Sequence, residues 1–346
     1  MHPKEYLRQK LRACDTCYAR YVAIKYRILS LLSLRYFFYD LWIVHQSMFW
    51  GANSHLSLSQ LRAKLLFYYH KIEKGLCMPG RQRLFGIEVI PQILQILESW
   101  KQSGFSTNDP VYLGAINSLQ AYVTHLQAEN LDPENKILSK VSIYLRAETP
   151  VEANADTPII VQRDQLTEAV SFSNLRHLYL ARRSARNFDN RPVANEVVAR
   201  AVEAAQLSPS ACNRQPCKVF AISDEKLRVS LLSHQNGNAG FGHLAPLLLV
   251  VTANADHFFG AIERNQPYID GGLFTMSLLY ALQVQGLATC CLNWCVTPKT
   301  DIAAHKLLDI PKSQKIIMYI AVGYAQKQTK VPRSHRKALN DVLEFK

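Results

Sequence analysis

The sequence predicts an all-helical region followed by an α/β or α+β domain. Through the first 150 residues, apolar side chains recur at three- and four-residue steps, the period of a helix with one buried face. Beyond residue 164, helix-like stretches alternate with short β-rich runs. These runs are KVFAIS (218–223), LLLVVTA (247–253) and KIIMYIAVGYA (315–325).

Length and composition agree with two packed units. The chain has 346 residues, and an apolar content of 48% with 10% aromatics excludes a disordered protein. Residues 147–164 carry two prolines and no helical period, which is typical of a linker. We therefore predict a helical N-terminal domain over 1–150, a linker over 151–164 and a second domain over 165–346.

Capping residues mark the helices of the first region. The stretch SLSQLRAKLLFYYHKIEKG (57–75) begins with serines that cap a helix and ends at Gly75, a residue type that favours a left-handed stop. An N-cap residue is followed by a first-turn proline at two places, Asp109–Pro110 and Asp132–Pro133. Three helices are therefore predicted to start at these caps.

The charge is strongly basic and uneven. The formal net charge is +13, and residues 1–86 hold 14 Lys and Arg against 4 Asp and Glu. Such a balance implies a polyanionic partner, an acidic surface or a phosphorylated ligand. No motif of a nucleic-acid-binding fold is present, so we do not expect nucleic acid as the partner.

The apolar stretch 28–50 raises the question of a membrane. Arg35 and Asp40 interrupt it, so no run of 18 uncharged apolar residues exists and a spanning helix is not predicted. A basic helix with Trp and Phe can lie on an anionic membrane surface. The alternatives are a buried helix hairpin or an oligomer contact.

Eight cysteines show no disulfide or zinc framework. Cys14 and Cys17 form a single CxxC, and no second ligand pair follows at zinc spacing. The N-terminus also lacks the pattern of a signal peptide. We therefore expect reduced thiols, no metal and a cytoplasmic location.

Crowded arginines make the stretch ARRSARNFDNRPV (181–193) unusual. Arg182, Arg183 and Arg186 repel one another unless an anion lies between them. Guanidinium groups donate paired hydrogen bonds to phosphate, and the Ser184 hydroxyl adds another donor. The sequence therefore predicts either a phosphate site or a solvated helix end.

A polar loop follows at LSPSACNRQPCKVFAIS (207–223). Pro209 and Pro216 exclude a helix, so Ser210, Asn213 and Gln215 are predicted on an irregular loop that enters a strand. Small polar side chains and free backbone N–H groups suit a planar heterocycle that has donors and acceptors. An ordinary surface loop is the alternative.

Taken in order, several blocks resemble the FMN-dependent nitroreductase family. They are RRSARNF, AAQLSPSACNRQP, HLAPLLLVVTA, DGGLFTMSLLYALQVQGLATCCLNW and AVGYAQKQTKVPRSHRKALNDVLEF, and they span roughly residues 165–346. The resemblance implies an α+β fold with a mixed or antiparallel sheet flanked by helices. It also implies that 270–294 is the family's central helix and the loop after it.

The resemblance implies FMN as cofactor and names the residues that hold it. Arg182, Arg183, Ser184 and Arg186 match the first FMN motif, and the family's later FMN contacts fall on Ser210, Asn213, Gln215, Gln235, Asn236, Leu292, Asn293, Trp294, Arg333 and Arg336. Cys217 departs from the aromatic residue that the family commonly has there.

What the resemblance implies about function is an oxidoreductase that works as a homodimer. NAD(P)H would reduce the flavin, and a small organic substrate of nitro or quinone type would reoxidise it without a protein base. A related enzyme of different chemistry, such as a heterocycle oxidase, a dehalogenase or a flavin-cleaving enzyme, is the first alternative. A non-catalytic basic module for membrane or nucleic acid is the second.

The resemblance does not reach the helical region. Its stretch HKIEKGLCMPGRQRLFG (70–86) places His70, Glu73 and Lys74 on one helix face ahead of a turn. This segment is either a salt-bridged helix end or a gate near the flavin that selects the oxidant. Because the family's domain is complete in about 180–200 residues, a chain starting near residue 160 is expected to keep FMN.

Overall fold

The computed structural model describes residues 15–50, 53, 55–78, 84–134, 136–148, 158 and 170–346. Its helices are α1 (Asp15–Met48), α2 (Leu58–Leu76), α3 (Val89–Gln102), α4 (Pro110–Ala128), α5 (Leu138–Ala147), α6 (Phe172–Ala181), α7 (Asn195–Gln206), α8 (Glu225–Leu232), α9 (Gln266–Val284) and α10 (Pro298–Leu308). Its strands are β1 (Cys217–Ile222), β2 (Leu247–Asn254), β3 (Ala288–Asn293) and β4 (Gln314–Gly323). Cys14 and most of the predicted linker lie outside the described residues, so those predictions stay untested.

Helices α2 to α5 pack around one apolar core, as the periodicity predicts. Trp100, Tyr112, Leu119 and Tyr122 are completely or almost completely buried there. Every described element before residue 149 is helical. The expectation of a helical N-terminal region is thereby confirmed for the described residues, while the exact domain boundaries remain a prediction.

The caps explain where these helices begin and correct one predicted end. Ser57 and Gln60 form a reciprocal capping box, and the Asp109 side chain caps α4. The Asp132 carboxylate instead accepts hydrogen bonds from the N–H groups of residues 136–138, so α5 begins several residues later than expected. Gly75 is no left-handed stop: it lies inside α2, where the Phe85 ring packs against its backbone and leaves no room for a Cβ.

Helix α1 is a single 34-residue helix rather than a buried hairpin. Its last turns bury Val44 and Met48 against Ala255 and Phe258 of the second region. Most of its earlier apolar side chains are exposed, including Ile24, Leu31, Leu34, Phe37, Phe38 and Leu41. No helix in the described part of the chain is long and apolar enough to cross a membrane. An oligomer contact or a membrane surface remains a prediction for this face.

The second region is built on one four-stranded antiparallel sheet in the order β1-β2-β4-β3. Helices α7 and α9 cover one face, and α8 and α10 cover the other. The α+β expectation with an antiparallel sheet flanked by helices is confirmed. Strand β3 corrects the expectation of a loop after the central helix, because its residues pair fully with β4.

Candidate functional site

The arginine segment lies along the outer side of strand β3. Ser184 forms an isolated parallel bridge with Thr289, and the Ala185 N–H donates to the Thr289 carbonyl at 3.0 Å. Farther along, the Asp189 N–H donates to the Tyr324 carbonyl at 2.8 Å. Backbone pairing therefore fixes the arginines at one edge of the sheet.

The three arginines have no acidic partner among the described residues. Arg182 and Arg183 are half-buried, and the exposed Arg186 donates to the Ser184 carbonyl at 3.4 Å beside the Phe241 ring. Burial raises the pKa of the Cys290 thiol, and the nearby Arg186 and Arg182 oppose that rise. Uncompensated guanidinium groups beside a hydroxyl fit an anion such as a phosphate.

At the far end of β3 lie Leu292, Asn293 and Trp294. Leu292 is buried, and its side chain packs in the core of the second region. The buried Gln235 amide donates to the Asn293 carbonyl at 2.9 Å, and its oxygen accepts the Gly237 N–H at 2.7 Å. Gln235 thus holds the strand end, and its neighbour Asn236 is exposed.

Trp294 forms part of an aromatic pocket between the segment that follows β3 and helix α1. Its ring stacks on Tyr319 with centroids 4.5 Å apart, and its Nε1–H donates to Asp301 at 2.7 Å. The Tyr39 hydroxyl donates to the same carboxylate at 2.9 Å. The cavity measures about 190 Å³ and is lined by aromatic and charged groups, among them Tyr36, Tyr39, Tyr268, Trp294, Asp40 and Lys315.

Lys315 supplies the positive charge of this aromatic pocket. Its Nζ lies 3.5 Å from the Asp40 carboxylate, which is largely exposed on α1. Burial lowers the pKa of Lys315, and the carboxylates of Asp40 and Asp301 partly offset that effect. The pocket therefore combines flat aromatic walls with a buried amine.

The loop Ser210–Gln215 lies near the opposite edge of the sheet and has an unusual backbone. Cys212, Asn213 and Gln215 have φ values of 53°, 54° and 48°, the left-handed region that non-glycine residues seldom adopt. The Ala211 N–H donates to Asp270 at 3.1 Å, and the Gln215 N–H donates to the Ser210 hydroxyl at 3.0 Å. The predicted irregular loop is therefore a held conformation.

Arg214 anchors this loop from inside the protein. Its side chain is fully buried and donates to both carboxylate oxygens of Glu263, at 3.1 and 2.5 Å. Although burial acts to raise it, the hydrogen bonds from Arg214 and from the Phe259 N–H hold the pKa of Glu263 below its ordinary value. The pair is thus ionised and bidentate.

A hydrogen-bonded chain connects the loop to helix α2. The His257 Nδ1 lies 2.8 Å from the Arg214 carbonyl, so it carries the proton, and Nε2 accepts from the Ser59 hydroxyl at 3.1 Å. The Asn254 amide donates to the Ser59 oxygen at 3.0 Å. Burial, with smaller contributions from Arg214 and Arg62, lowers the pKa of His257 to about 4.

This neutral histidine predicts acid sensitivity. An unfolded chain binds a proton at His257 near pH 6.5, whereas the folded chain binds it near pH 4, so stability is lost as the pH falls through that window. Between pH 7.5 and 5 the loss should be roughly 2 kcal/mol. We expect the drop in melting temperature over this range to be smaller in His257→Asn than in the wild type, with the exposed His177→Asn as control. Equal drops in all three proteins would contradict the assignment.

Two groups of predicted flavin contacts, the arginine segment around Ser184 and the Ser210–Gln215 loop, do not meet within one chain. Ser184 is level with Thr289 and Val322 of β4, whereas Cys217, just after the loop, is level with Ala253 of β2 and Lys315 of β4. Strands β1 and β3 are the two edges of the sheet, so the groups are about 14 Å apart across it and roughly 20 Å apart along it. Within one chain, the arginine segment and the Ser210–Gln215 loop therefore lie far apart.

The last two predicted arginines lie on an exposed C-terminal segment. Every residue from 330 to 346 is exposed, and the Arg336 guanidinium donates to the Ser334 carbonyl at 2.7 Å. Neither Arg333 nor Arg336 forms an ion pair with a described residue. These side chains stay available to an anion, and their role remains a prediction.

A cavity beside Gln215 is lined by residues of helix α2 that come earlier in the chain than the predicted gate segment 70–86. Ser59 and Arg62 of α2 face Arg214, Gln215 and Cys217 across a space of about 570 Å³. Within the gate segment 70–86, Phe85 packs back onto Gly75 in the helical core, and residues 79–83 lie outside the described residues. The described contacts thus place the first half of α2 next to the loop.

An antiparallel sheet covered by helices on both faces, with three arginines at one edge that lack an acidic partner among the described residues, defines an α+β domain. The family model for the nitroreductase family matches residues 179–238 and 230–324. This part of the chain is a nitroreductase-family domain, and the predicted family is confirmed.

Individual relatives are distant. The Bacillus subtilis protein MhqN, named as an NAD(P)H nitroreductase, is 23% identical over 49% of this chain and 97% of its own length. The iodotyrosine deiodinase of Danio rerio is 25% identical over 52% of this chain and 68% of its own length. A solved FMN-dependent nitroreductase of Clostridium difficile has a TM-score of 0.42 and 18% identity, covering 49% of this chain and 96% of that one.

The sequence did not reveal the buried residues that hold the Ser210–Gln215 loop in place. Arg214 stands between two predicted contacts, yet nothing in the sequence shows that its side chain turns inward. His257, Glu263 and Ser59 are distant in sequence and carry no motif. The pocket residues Tyr36 and Tyr39 were equally unrecognisable, because α1 reads as an apolar helix until its partner surface is known. Lys315 lies on strand β4 and belongs to no motif.

Proposed function

We propose that the chain is an FMN-dependent oxidoreductase that uses NAD(P)H to reduce a small, planar organic substrate. The observation that carries the proposal is the cluster Arg182, Arg183 and Arg186, which lies beside Ser184 at the sheet edge without an acidic partner among the described residues. A singly esterified phosphate, as in FMN, satisfies such a donor set. No dinucleotide-binding GxGxxG motif is present to favour FAD.

When bound, FMN would supply the hydride transfer, so the protein needs no nucleophile or general base. Arg182, Arg183, Ser184 and Arg186 would hold the phosphate. The backbone of Asn293 and Trp294 would orient the ring, because β3 has no strand partner on its outer side beyond Thr289 in the described part of the chain.

A homodimer with shared sites is part of the proposal. The arginine segment and the Ser210–Gln215 loop of one chain lie at opposite edges of the sheet, which supports the proposal that Ser210, Asn213 and Gln215 reach a flavin bound mainly by the other subunit. Apolar side chains that are exposed on α6 and α9, such as Phe172, Tyr179, Ile269 and Leu273, support a contact between two copies.

The aromatic pocket beside Trp294 supports a planar substrate. Rings of Tyr36, Tyr39 and Tyr268 line it, and flat nitro or quinone compounds stack on such walls. Reductive dehalogenation of an aromatic compound is the second candidate, because a relative that matches half of the chain is named iodotyrosine deiodinase. Both candidates share the cofactor and are separated by turnover assays with the two substrate classes.

We also propose a cytoplasmic location, which the cysteines support. Six described cysteines are free thiols: Cys77, Cys212, Cys217, Cys290, Cys291 and Cys295. A reducing compartment suits this thiol content.

The test of the proposed cofactor is flavin retention in Arg182→Ala. Purified wild-type protein should be yellow and release FMN, and the variant should bind FMN more weakly by roughly 2 to 4 kcal/mol, since it loses charge-assisted contacts in a partly dry site. Titration calorimetry measures the difference, with the exposed Arg264→Ala as a control that keeps a matched net charge. A wild-type protein that stays colourless after reconstitution with FMN would rule out the proposal.

A further inference from the structure

We infer that the helical N-terminal region positions the Ser210–Gln215 loop by clamping Arg214, and that Phe67 of α2 is the positioning residue. The inference rests on the proposed function, because Asn213 and Gln215 are the loop's proposed flavin contacts. It goes beyond that function in giving the helical region a defined role at the site.

The loop needs such a clamp because its backbone is strained. Cys212 and Gln215 adopt the left-handed conformation, which is unfavourable for residues with a Cβ atom, and Asn213 between them adopts it at a lower cost. Strain of this kind persists where the surroundings over-determine the conformation, and it concentrates at functional sites. A relaxed loop would move Asn213 and Gln215 together, since the Gln215 amide lies 3.3 Å from the Asn213 carbonyl.

Arg214 transmits the clamp to the backbone. Its Nε–H donates to the Ala211 carbonyl at 2.9 Å, which closes the turn, while its other nitrogens are held by Glu263. Around the guanidinium stand three aromatic rings, with centroids 4.5 Å (Phe258), 5.1 Å (Phe259) and 5.6 Å (Phe67) away. Aromatic faces attract a desolvated cation, so the three rings stabilise the inward side chain.

One wall of this cage comes from the helical region. Phe67 lies on α2 and meets Phe259 edge to face at 5.0 Å. Ser59, two turns earlier on the same helix, bonds to His257, which in turn donates to the Arg214 carbonyl. Helix α2 therefore holds both the side chain and the backbone of Arg214.

Burial alternates along the loop, as a positioning role for Arg214 requires. Arg214 points into the cage, while its neighbour Gln215 is exposed and Asn213 is half-buried. Opening the cage removes the anchor between the two presented side chains. Flavin affinity should then fall although no residue that touches the flavin has changed.

The experiment uses full-length protein and a matched pair, Phe67→Leu and Phe67→Tyr, with the exposed Ile143→Ala of the helical region as control. Phe67→Leu keeps apolar bulk and removes the ring, whereas Phe67→Tyr keeps the ring. Hydrogen exchange of residues 208–220 is measured without flavin, and FMN affinity and the visible circular dichroism of the bound flavin are measured separately.

Phe67→Leu should raise the exchange rate of this segment about tenfold and the FMN dissociation constant by a similar factor, with an altered flavin spectrum. Phe67→Tyr and Ile143→Ala should match the wild type in all three readouts. Unchanged exchange in Phe67→Leu overturns the clamp. Faster exchange with unchanged FMN affinity and spectrum overturns the role at the flavin site. If wild-type protein binds no FMN, the proposed function is wrong. The hydrogen-exchange rates, which are measured without flavin, would still show whether Phe67 holds the loop.

Discussion

A heterodimer of two defective chains is expected to bind about one FMN with wild-type affinity. One chain carries Arg182→Ala with Arg186→Ala, and the other carries Asn213→Ala with Gln215→Ala. Each homodimer should bind FMN poorly, because both of its sites lack one half. In the heterodimer, one site combines both sets of changes and the other combines two unaltered halves.

The reason lies in the distance between the half-sites. The arginine segment pairs with edge strand β3, and the Ser210–Gln215 loop precedes edge strand β1 on the other side of the sheet. The two positions are roughly 20 Å apart along the strands, measured between backbones, and this separation favours the proposal that the two sets of contacts come from different copies.

The measurement is FMN content and affinity of heterodimers purified through two different tags. A heterodimer of wild-type chains carrying the same tags is the control for the tags and the exchange step. If both half-sites belonged to one chain, each chain of the heterodimer would carry a broken site. A heterodimer without tight FMN would therefore refute the shared site, and a flavin-loaded monomer in light scattering would refute the dimer itself.

The sequence predicted features that depend on neighbouring residues. The arginine cluster is visible because like charges crowd within five positions, and Asp109 predicts a helix start because an N-cap bonds to the N–H groups beside it. Strands β1, β2 and β4 were predicted because they are rich in β-branched and aromatic residues. Each of these signals is local.

What the sequence could not show depends on contacts between distant segments. Strand β3, with the sequence ATCCLN, follows a helix through a single glycine turn and looks like a loop until β4 pairs with it. Gly75 reads as a helix end because Phe85, which packs against it, comes later in the chain. The aromatic cage around Arg214 joins α2 to the 255–263 segment, and no local sequence pattern predicts this contact.

The same long-range contacts change what is expected of a shortened chain. A family-sized domain starting near residue 160 should keep FMN by sequence reasoning alone. In the structure, however, Trp50 is buried, its indole N–H donates to the Asp256 carbonyl at 3.0 Å, and its ring meets Phe259. Val44 and Met48 cover Phe258 from the same side. The second region thus depends on surfaces that precede residue 150.

We therefore expect a chain that begins at residue 158 to be poorly soluble or free of flavin. Burial of a large apolar side chain stabilises by roughly 1.5 to 3 kcal/mol, so losing the packing of the buried Val44, Met48 and Trp50 removes a large share of the stability of a domain. Soluble yield and FMN per chain measure the effect. The matched control is full-length protein cleaved within 151–164 by an inserted protease site, which keeps every packing contact and should retain FMN. A soluble, yellow fragment with the full chain's FMN affinity would show instead that the helical region is dispensable for the flavin, and the clamp on Arg214 would fall with that result.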